Sequence, residues 1–109
     1  MKARNSSGPF LFYMAYSVYI LYSESSHKFY IGQTVDLEKR VNEHNTQLKN
    51  AYTSKYRPWK LVAFLEVDSR KIAMAIEKYL KKKNRKFIER VVNEHTLRSF
   101  IVDKFSSDG

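Results

Sequence analysis

Two short segments rich in aromatic and β-branched residues constrain this sequence more than any other feature. Tyr16–Tyr22 and Phe29–Gln33 both have the composition of a β-strand. The six residues between them, Ser23–Lys28, are polar and typical of a turn. The pattern therefore predicts a β-hairpin.

The length of this turn also predicts how the two strands pair. An even number of turn residues pairs Tyr22 with Phe29, and the same register places Tyr19 opposite Gly32. Tyr19 and Tyr30 then share one face of the sheet as diagonal neighbours. A glycine inside a strand marks a close approach by another group, which we expect at Gly32. The alternative is ordinary aromatic packing on a sheet.

Hydrophobic periodicity predicts the elements that follow the hairpin. They are a helix over Asp36–Asn50, a basic polar loop over Asn50–Pro58, a strand over Trp59–Val67, and helices over Arg70–Lys83, Arg85–Val92 and Thr96–Phe105. In the third strand, Leu61, Ala63 and Leu65 are predicted to share one face. Since three strands cannot close a barrel, helices must cover the sheet. The expected fold class is α+β, a small three-stranded antiparallel sheet flanked by three to four helices in the order β-β-α-β-α-α.

Composition limits the kinds of partner and chemistry. The chain has 109 residues, room for one domain, and its net charge of +9 favours a polyanion partner, unless that charge serves only solubility. With no cysteine, disulfides and thiol chemistry are excluded. The apolar run Phe10–Tyr16 resembles a secretion signal but is short and rich in tyrosine. We expect residues 1–13 to be an extension, with no membrane association and a cytoplasmic location.

The first predicted helix places two polar side chains on its apolar side. Leu37, Val41 and Leu48 form the apolar stripe; His44 falls inside it and Arg40 lies on its border. Buried cationic or imidazole groups are costly unless they are paired or used. The alternative is a core histidine with satisfied hydrogen bonds beside an arginine that extends to solvent.

The next long helix repeats this feature with a carboxylate. Glu77 lies at the edge of an apolar arc that includes Ile76 and Leu80. One carboxylate is enough to hold Mg²⁺ when water and phosphate complete the coordination. The alternative is an i,i+4 ion pair with Lys81.

Five separated elements together form a recognisable pattern. They are Val18–Tyr19–Ile20, Tyr30–Ile31–Gly32, Asp36–Leu37 with Arg40, His44 four residues later, and Glu77–Lys78. In this order they resemble the GIY-YIG nuclease family, over most of the chain. The likeness is greatest to the small standalone members and extends to the N-terminal nuclease domain of the bacterial excision-repair endonuclease. The domain so implied spans residues 14–94, and residues 95–109 would be a C-terminal helix and tail.

The resemblance implies a metal-dependent endonuclease that hydrolyses DNA. It implies that Tyr19 and Tyr30 position and deprotonate the attacking water. Arg40 would stabilise charge on the phosphate, and His44 would hydrogen-bond a tyrosine or relay a proton. Glu77 would hold one Mg²⁺ or Mn²⁺. Gln33 stands where some members carry a lysine that helps to activate the tyrosine. The identity of the general base therefore stays open.

Clustered cations predict where nucleic acid binds. Residues 78–90 carry seven cations and one acid, and a second basic group lies among Tyr52, Tyr56 and Trp59, a mixture suited to phosphate contact and base stacking. The predicted nucleic-acid-binding residues are Lys55, Arg57, Lys78, Lys81, Lys82, Lys83, Arg85 and Lys86. We find no separate DNA-reading module, which predicts structure-selective or weakly sequence-specific cleavage, or specificity supplied by a protein partner. RNA is not excluded as a substrate.

Two other functions are compatible with the sequence. The first is a nucleic-acid-binding module that has the nuclease fold but does not cleave. The second is a membrane-surface protein that uses Phe10–Met14 and the lysine-rich segment. The joint presence of the tyrosine, arginine, histidine and glutamate positions favours the nuclease.

Overall fold

The structure, a computed structural model, describes residues 15–46 and 51–108. Within these residues the chain forms three strands and five helices: β1 (Tyr16–Ser23), β2 (Lys28–Thr34), α1 (Leu37–Thr46), α2 (Ala51–Lys55), β3 (Lys60–Val67), α3 (Arg70–Lys81), α4 (Arg85–Asn93) and α5 (His95–Asp108). The sheet is antiparallel, in the order β2-β1-β3. The predicted α+β class is confirmed. The predicted element order omitted α2, which lies in the expected loop Asn50–Pro58, and α5 is longer than the predicted helix.

The hairpin pairs as the sequence predicts. Tyr22 lies opposite Phe29 and Tyr19 opposite Gly32. Because β1 is the central strand, Tyr19 is flanked on its other side by Phe64 of β3. The face that carries Tyr19 therefore spans all three strands.

A β-bulge in β3 changes which face its first residues occupy. Ile20 pairs with Ala63, whereas the next residue, Leu21, pairs with Leu61, so that Val62 is an extra residue. Each added residue reverses the alternation of side chains. Leu61 therefore packs beside Leu21, on the face opposite Ala63. The prediction that Leu61 shares a face with Ala63 is wrong for this reason.

Helices cover the two faces of the sheet unequally. One face, with α3, α4 and α5, encloses an aliphatic core whose fully buried members include Val18, Ile20, Ile76, Leu80, Val91 and Ile101. The other face has a smaller cluster built on Tyr19, Leu21 and Trp59, against which Leu37 and Val41 of α1 pack. No helix in the described ranges is long and apolar enough to cross a membrane.

Side-chain caps define where the helices begin. The Asp36 carboxylate accepts a hydrogen bond from the Lys39 backbone N–H ahead of α1 (3.1 Å). Ser69 caps α3 and Asn84 caps α4 in the same manner. Such caps satisfy backbone donors that a helix leaves open at its first turn. The predicted end of the first helix, at Asn50, lies outside the described residues.

Candidate active site

Tyr19 is the most enclosed of the predicted site residues. Its side chain is only 1% exposed, and its ring lies across β2 above Gly32. A Cβ atom on Gly32 would lie 2.6 Å from Cζ of Tyr19, which is closer than a Cβ atom comes to a non-bonded neighbour in real proteins. The close approach predicted at Gly32 is therefore made by Tyr19, and the glycine provides space for the phenol.

His44, on helix α1, contacts Tyr19. It is buried on α1, and its Nε2 lies 2.9 Å from the Tyr19 hydroxyl. The Tyr30 ring lies 4.8 Å from the His44 ring and 6.4 Å from the Tyr19 ring, between centroids. Three of the predicted residues, one each from β1, β2 and α1, are thus in contact.

The protonation of this group follows from its burial. Burial raises the pKa of Tyr19 to about 12, although a hydrogen bond from Arg40 opposes the change. Burial, and then the positive charge of Arg40, lower the pKa of His44. At neutral pH Tyr19 is therefore a phenol that is hydrogen-bonded to the neutral imidazole of His44, and it donates to Nε2 in the tautomer that carries the His44 proton on Nδ1.

Arg40 is held at this position by a second contact. Its Nε donates to Oε1 of Glu43 at 3.0 Å, one turn further along α1. The arginine side chain remains 43% exposed. One guanidinium therefore touches both the buried phenol and solvent, which is where a substrate phosphate would be met.

Glu77 approaches from α3, and its carboxylate pairs with Lys81 at 2.8 Å. This is the i,i+4 ion pair that the sequence offered as the alternative role of Glu77. The Glu77 charge also acts on the site, because it contributes to the raised pKa of Tyr19. In the described residues no three His, Cys, Asp or Glu side chains converge on one point. One carboxylate fits a Mg²⁺ or Mn²⁺ ion that is completed by water and substrate phosphate.

A polar clamp fixes α1 against the start of β3. The Asn45 side chain accepts from the Trp59 backbone N–H (2.6 Å) and donates to the Trp59 carbonyl (2.9 Å). Arg57 donates from Nε to the His44 carbonyl (2.9 Å). Arg57, which lies between α2 and β3, thus supports the site by holding the backbone of α1. Its predicted contact with nucleic acid stays a prediction. Asn45 was missed because a single asparagine has no spacing signal.

A groove of about 470 Å³ opens beside this cluster. We call it the basic groove; it is lined by Ser26, His27, Lys28, Phe29, Tyr30, Ile31, Tyr52, Leu80, Lys81, Lys83, Arg85 and Ile88. Three predicted nucleic-acid-binding residues are among them, together with Lys28, which the sequence analysis missed because it belonged to the expected turn. Tyr30 is common to the groove and to the tyrosine–histidine cluster, so the two are continuous.

The other predicted binding residues lie outside the groove lining. Lys55 is exposed, with its amine 5.5 Å from the centre of the Tyr56 ring. Lys78, Lys82 and Lys86 are exposed on α3, at its end and on α4. Their contribution to binding stays a prediction.

Known proteins provide an independent comparison. The family described as "GIY-YIG catalytic domain" matches residues 15–91. A UPF0213 protein from Syntrophus aciditrophicus is 46% identical over 70 residues, covering 62% of this chain and 78% of that protein. The structure of the UPF0213 protein BH0048 from Bacillus halodurans has 31% identity, covers 73% of this chain and 84% of its own, and gives a TM-score of 0.48.

Part of a larger protein is also similar. The structure-specific endonuclease subunit slx1 of Schizosaccharomyces japonicus is 42% identical over 64 residues, which are 55% of this chain and 23% of that protein. The present chain thus spans less than a quarter of the length of this relative. The matched family covers the tyrosines of both strands, the arginine and histidine of α1 and the glutamate of α3. The chain belongs to the GIY-YIG family and contains its catalytic domain.

Proposed function

We propose that this protein is a metal-dependent endonuclease that hydrolyses DNA phosphodiester bonds. The observation that carries the proposal is the 2.9 Å hydrogen bond between the Tyr19 hydroxyl and His44 Nε2, beneath Arg40. A phenol that is connected to a neutral imidazole and touches a cation is equipped to move a proton next to a phosphate.

The proton path follows from the two pKa directions. With its pKa near 12, Tyr19 holds its proton at neutral pH and cannot act alone as a base. His44 is neutral, because burial lowers its pKa, and can accept that proton through Nε2. As the proton passes to His44, the Tyr19 oxygen takes one from the attacking water. The net result is a hydroxide directed at phosphorus and a protonated His44.

Arg40 and Glu77 would act on the phosphate. The Arg40 guanidinium, which is partly exposed, stabilises charge that develops on the phosphoryl oxygens. Glu77 would hold one Mg²⁺ or Mn²⁺, and the ion when bound would polarise the phosphate and assist the leaving oxygen. To do so, Glu77 exchanges its ion pair with Lys81 for the ion, a small cost because the pair is partly exposed.

Specificity is proposed to be structural rather than strongly sequence-dependent. The related slx1 protein is named a structure-specific endonuclease subunit. Its name supports a preference for DNA structure here, and the word "subunit" supports a protein partner that adds specificity. A role in DNA repair in the cytoplasm, at the nucleoid if the source is bacterial, completes the proposal.

Cleavage of labelled single-stranded, nicked, flapped and branched DNA tests the function. The reactions contain Mg²⁺, Mn²⁺ or EDTA. We expect cleavage that needs the metal and falls about 1,000-fold in Glu77→Gln, because the metal contributes several kcal/mol to phosphate chemistry.

The matched control is Glu94→Gln, which removes another i,i+4 ion pair, with Arg90, at a site remote from the tyrosines. It should cleave like the wild type. Metal-dependent cleavage that survives Glu77→Gln would contradict the assigned site. Tight DNA binding without cleavage under any condition would favour the non-catalytic binding module.

A further inference from the structure

Tyr52 is a large aromatic side chain at the mouth of the basic groove. It is 44% exposed and lines the groove together with Tyr30. Its ring packs on Trp59, with centroids 6.4 Å apart and planes within 28°, and meets the edge of Tyr56 at 5.0 Å. The Tyr30 ring lies 6.2 Å away, so Tyr52 is held by three aromatic neighbours and still leaves nearly half of its surface exposed beside the groove.

Its aromatic neighbours are less suited to contact a ligand. Trp59 is 3% exposed, and its Nε1 donates to the Thr53 carbonyl at 2.7 Å. The Tyr56 ring carries the amines of Lys28 and Lys55 at 5.2 and 5.5 Å from its centre. Of the aromatics singled out in this segment by the sequence, Tyr52 is therefore the most exposed to a ligand in the groove.

The part of the groove lined by the corner between α3 and α4 is cationic, and its side chains are held in place. Arg85 donates to the His27 carbonyl at 2.6 Å and to Glu89 at 3.1 Å. Lys83 lies 4.5 Å from the centre of the Tyr79 ring. No acidic side chain is among the described residues that line the groove. This part of the groove offers fixed positive charge to a phosphate chain.

The groove is also continuous with the candidate catalytic residues. Lys81 lines it and pairs with Glu77, and Tyr30 lines it and contacts His44. Its volume of about 470 Å³ falls within the range of small-ligand sites, roughly 300–1,000 Å³. A nucleotide in the groove would place a neighbouring phosphate toward the catalytic cluster.

We propose that the basic groove binds an unpaired DNA nucleotide, whose base stacks on Tyr52 while its phosphates contact Lys81, Lys83 and Arg85. A base pair inside a duplex cannot stack on this ring, because both of its faces are already stacked on neighbouring pairs. The groove therefore selects DNA with a single-stranded flank. This inference rests on the proposed function for its catalytic consequence, but not for the binding itself.

Binding measured in EDTA separates stacking from cleavage. The probes are a single-stranded oligonucleotide containing 2-aminopurine, whose fluorescence is quenched by stacking, and a blunt duplex of the same sequence. Tyr52→Leu, which keeps apolar bulk, should weaken single-strand binding roughly 5- to 150-fold and remove the quenching. Duplex binding should change less than about twofold. Tyr52→Phe should bind like the wild type.

The matched control is Phe100→Leu, an exposed aromatic residue on α5 outside the groove, which should leave both affinities unchanged. Thermal unfolding verifies that each variant is folded. Equal losses for duplex and single strand in Tyr52→Leu, or no loss at all, would overturn the inference. Tyr52-dependent binding without cleavage under any metal would leave the inference intact and reject the proposed function. Cleavage of intact duplex that does not depend on Tyr52 would overturn the inference and leave nuclease activity in place.

Discussion

The two faces of the sheet are stabilised by different means. Under α3, α4 and α5 the buried residues of the core are aliphatic, and aromatic residues only border it. Under α1 and α2 leucine and valine are mixed with aromatic residues, and polar side chains are hydrogen-bonded among them, as in the Tyr19–His44 pair. The difference separates two requirements: one face supplies most of the apolar burial, and the other holds polar groups whose pKa values are shifted by burial. Glu77 is the exception, since it reaches the site from the aliphatic side.

The largest expected effect on stability is a contrast between two adjacent residues of α3, Ile76 and Glu77. Ile76→Ala should cost about 2–5 kcal/mol of unfolding free energy, because Ile76 is fully buried in the aliphatic core. Glu77→Gln should cost less than about 1 kcal/mol, because its ion pair with Lys81 is partly exposed. Urea unfolding of both variants measures the contrast. Similar losses in the two variants would show that stability and function are not divided as described.

The next effect concerns the space beneath Tyr19. Gly32→Ala should destabilise the protein by about 1–3 kcal/mol, because the added methyl group meets the phenol. The same change in a Tyr19→Ala background should cost much less, since the clash is then absent. A double-mutant cycle by chemical denaturation measures this coupling. Gln33→Ala, on the same strand, serves as the control, and an uncoupled cycle would contradict the steric explanation.

Alkaline pH tests the state of Tyr19. Its pKa is about 12 in the folded protein and 10 when unfolded, so its contribution to stability is complete below pH 10 and is lost as the pH rises toward 12. The loss should reach about 2–3 kcal/mol. The stability difference between wild type and Tyr19→Phe should shrink by this amount between pH 10 and 12. A stability difference between wild type and Tyr19→Phe that stays constant over this range would contradict the raised pKa of Tyr19.

Mildly acidic pH tests His44, with a smaller effect. Because the pKa of His44 is lowered in the fold, the unfolded chain takes up a proton first as the pH falls below about 6.5. Stability should then decrease as the pH falls, with a slope of at most about 1.4 kcal/mol per pH unit for this one proton. His44→Gln should remove this slope from thermal unfolding curves. A slope that persists unchanged in His44→Gln would contradict the assignment to His44.

Local rules were enough to predict some of this architecture. The even turn and the alternation of side chains gave the correct pairing of Tyr19 with Gly32. The helical wheel placed His44 on the buried side of α1, where it meets Tyr19. These features depend on residues close in sequence, so their patterns are visible without the fold.

Other features depend on contacts between distant segments. The bulge at Val62 has no composition of its own, and it moved Leu61 to the opposite face. The Asn45 clamp joins residues 14 apart, and no periodicity relates them. The basic groove likewise appears only once the β1–β2 turn, α2 and the α3–α4 corner are assembled.

The Asn45 clamp has a consequence for how such a chain can diversify. The two hydrogen bonds to Trp59, together with the hydrogen bond from Arg57 to the His44 carbonyl, close the intervening segment at its base, so the position of His44 depends on these contacts more than on the other residues of the segment. Tyr52 lies within that segment. Mutation, insertion or recombination there can therefore alter which nucleic acid is held while leaving the proton path in place, which makes substrate choice and chemistry separately evolvable.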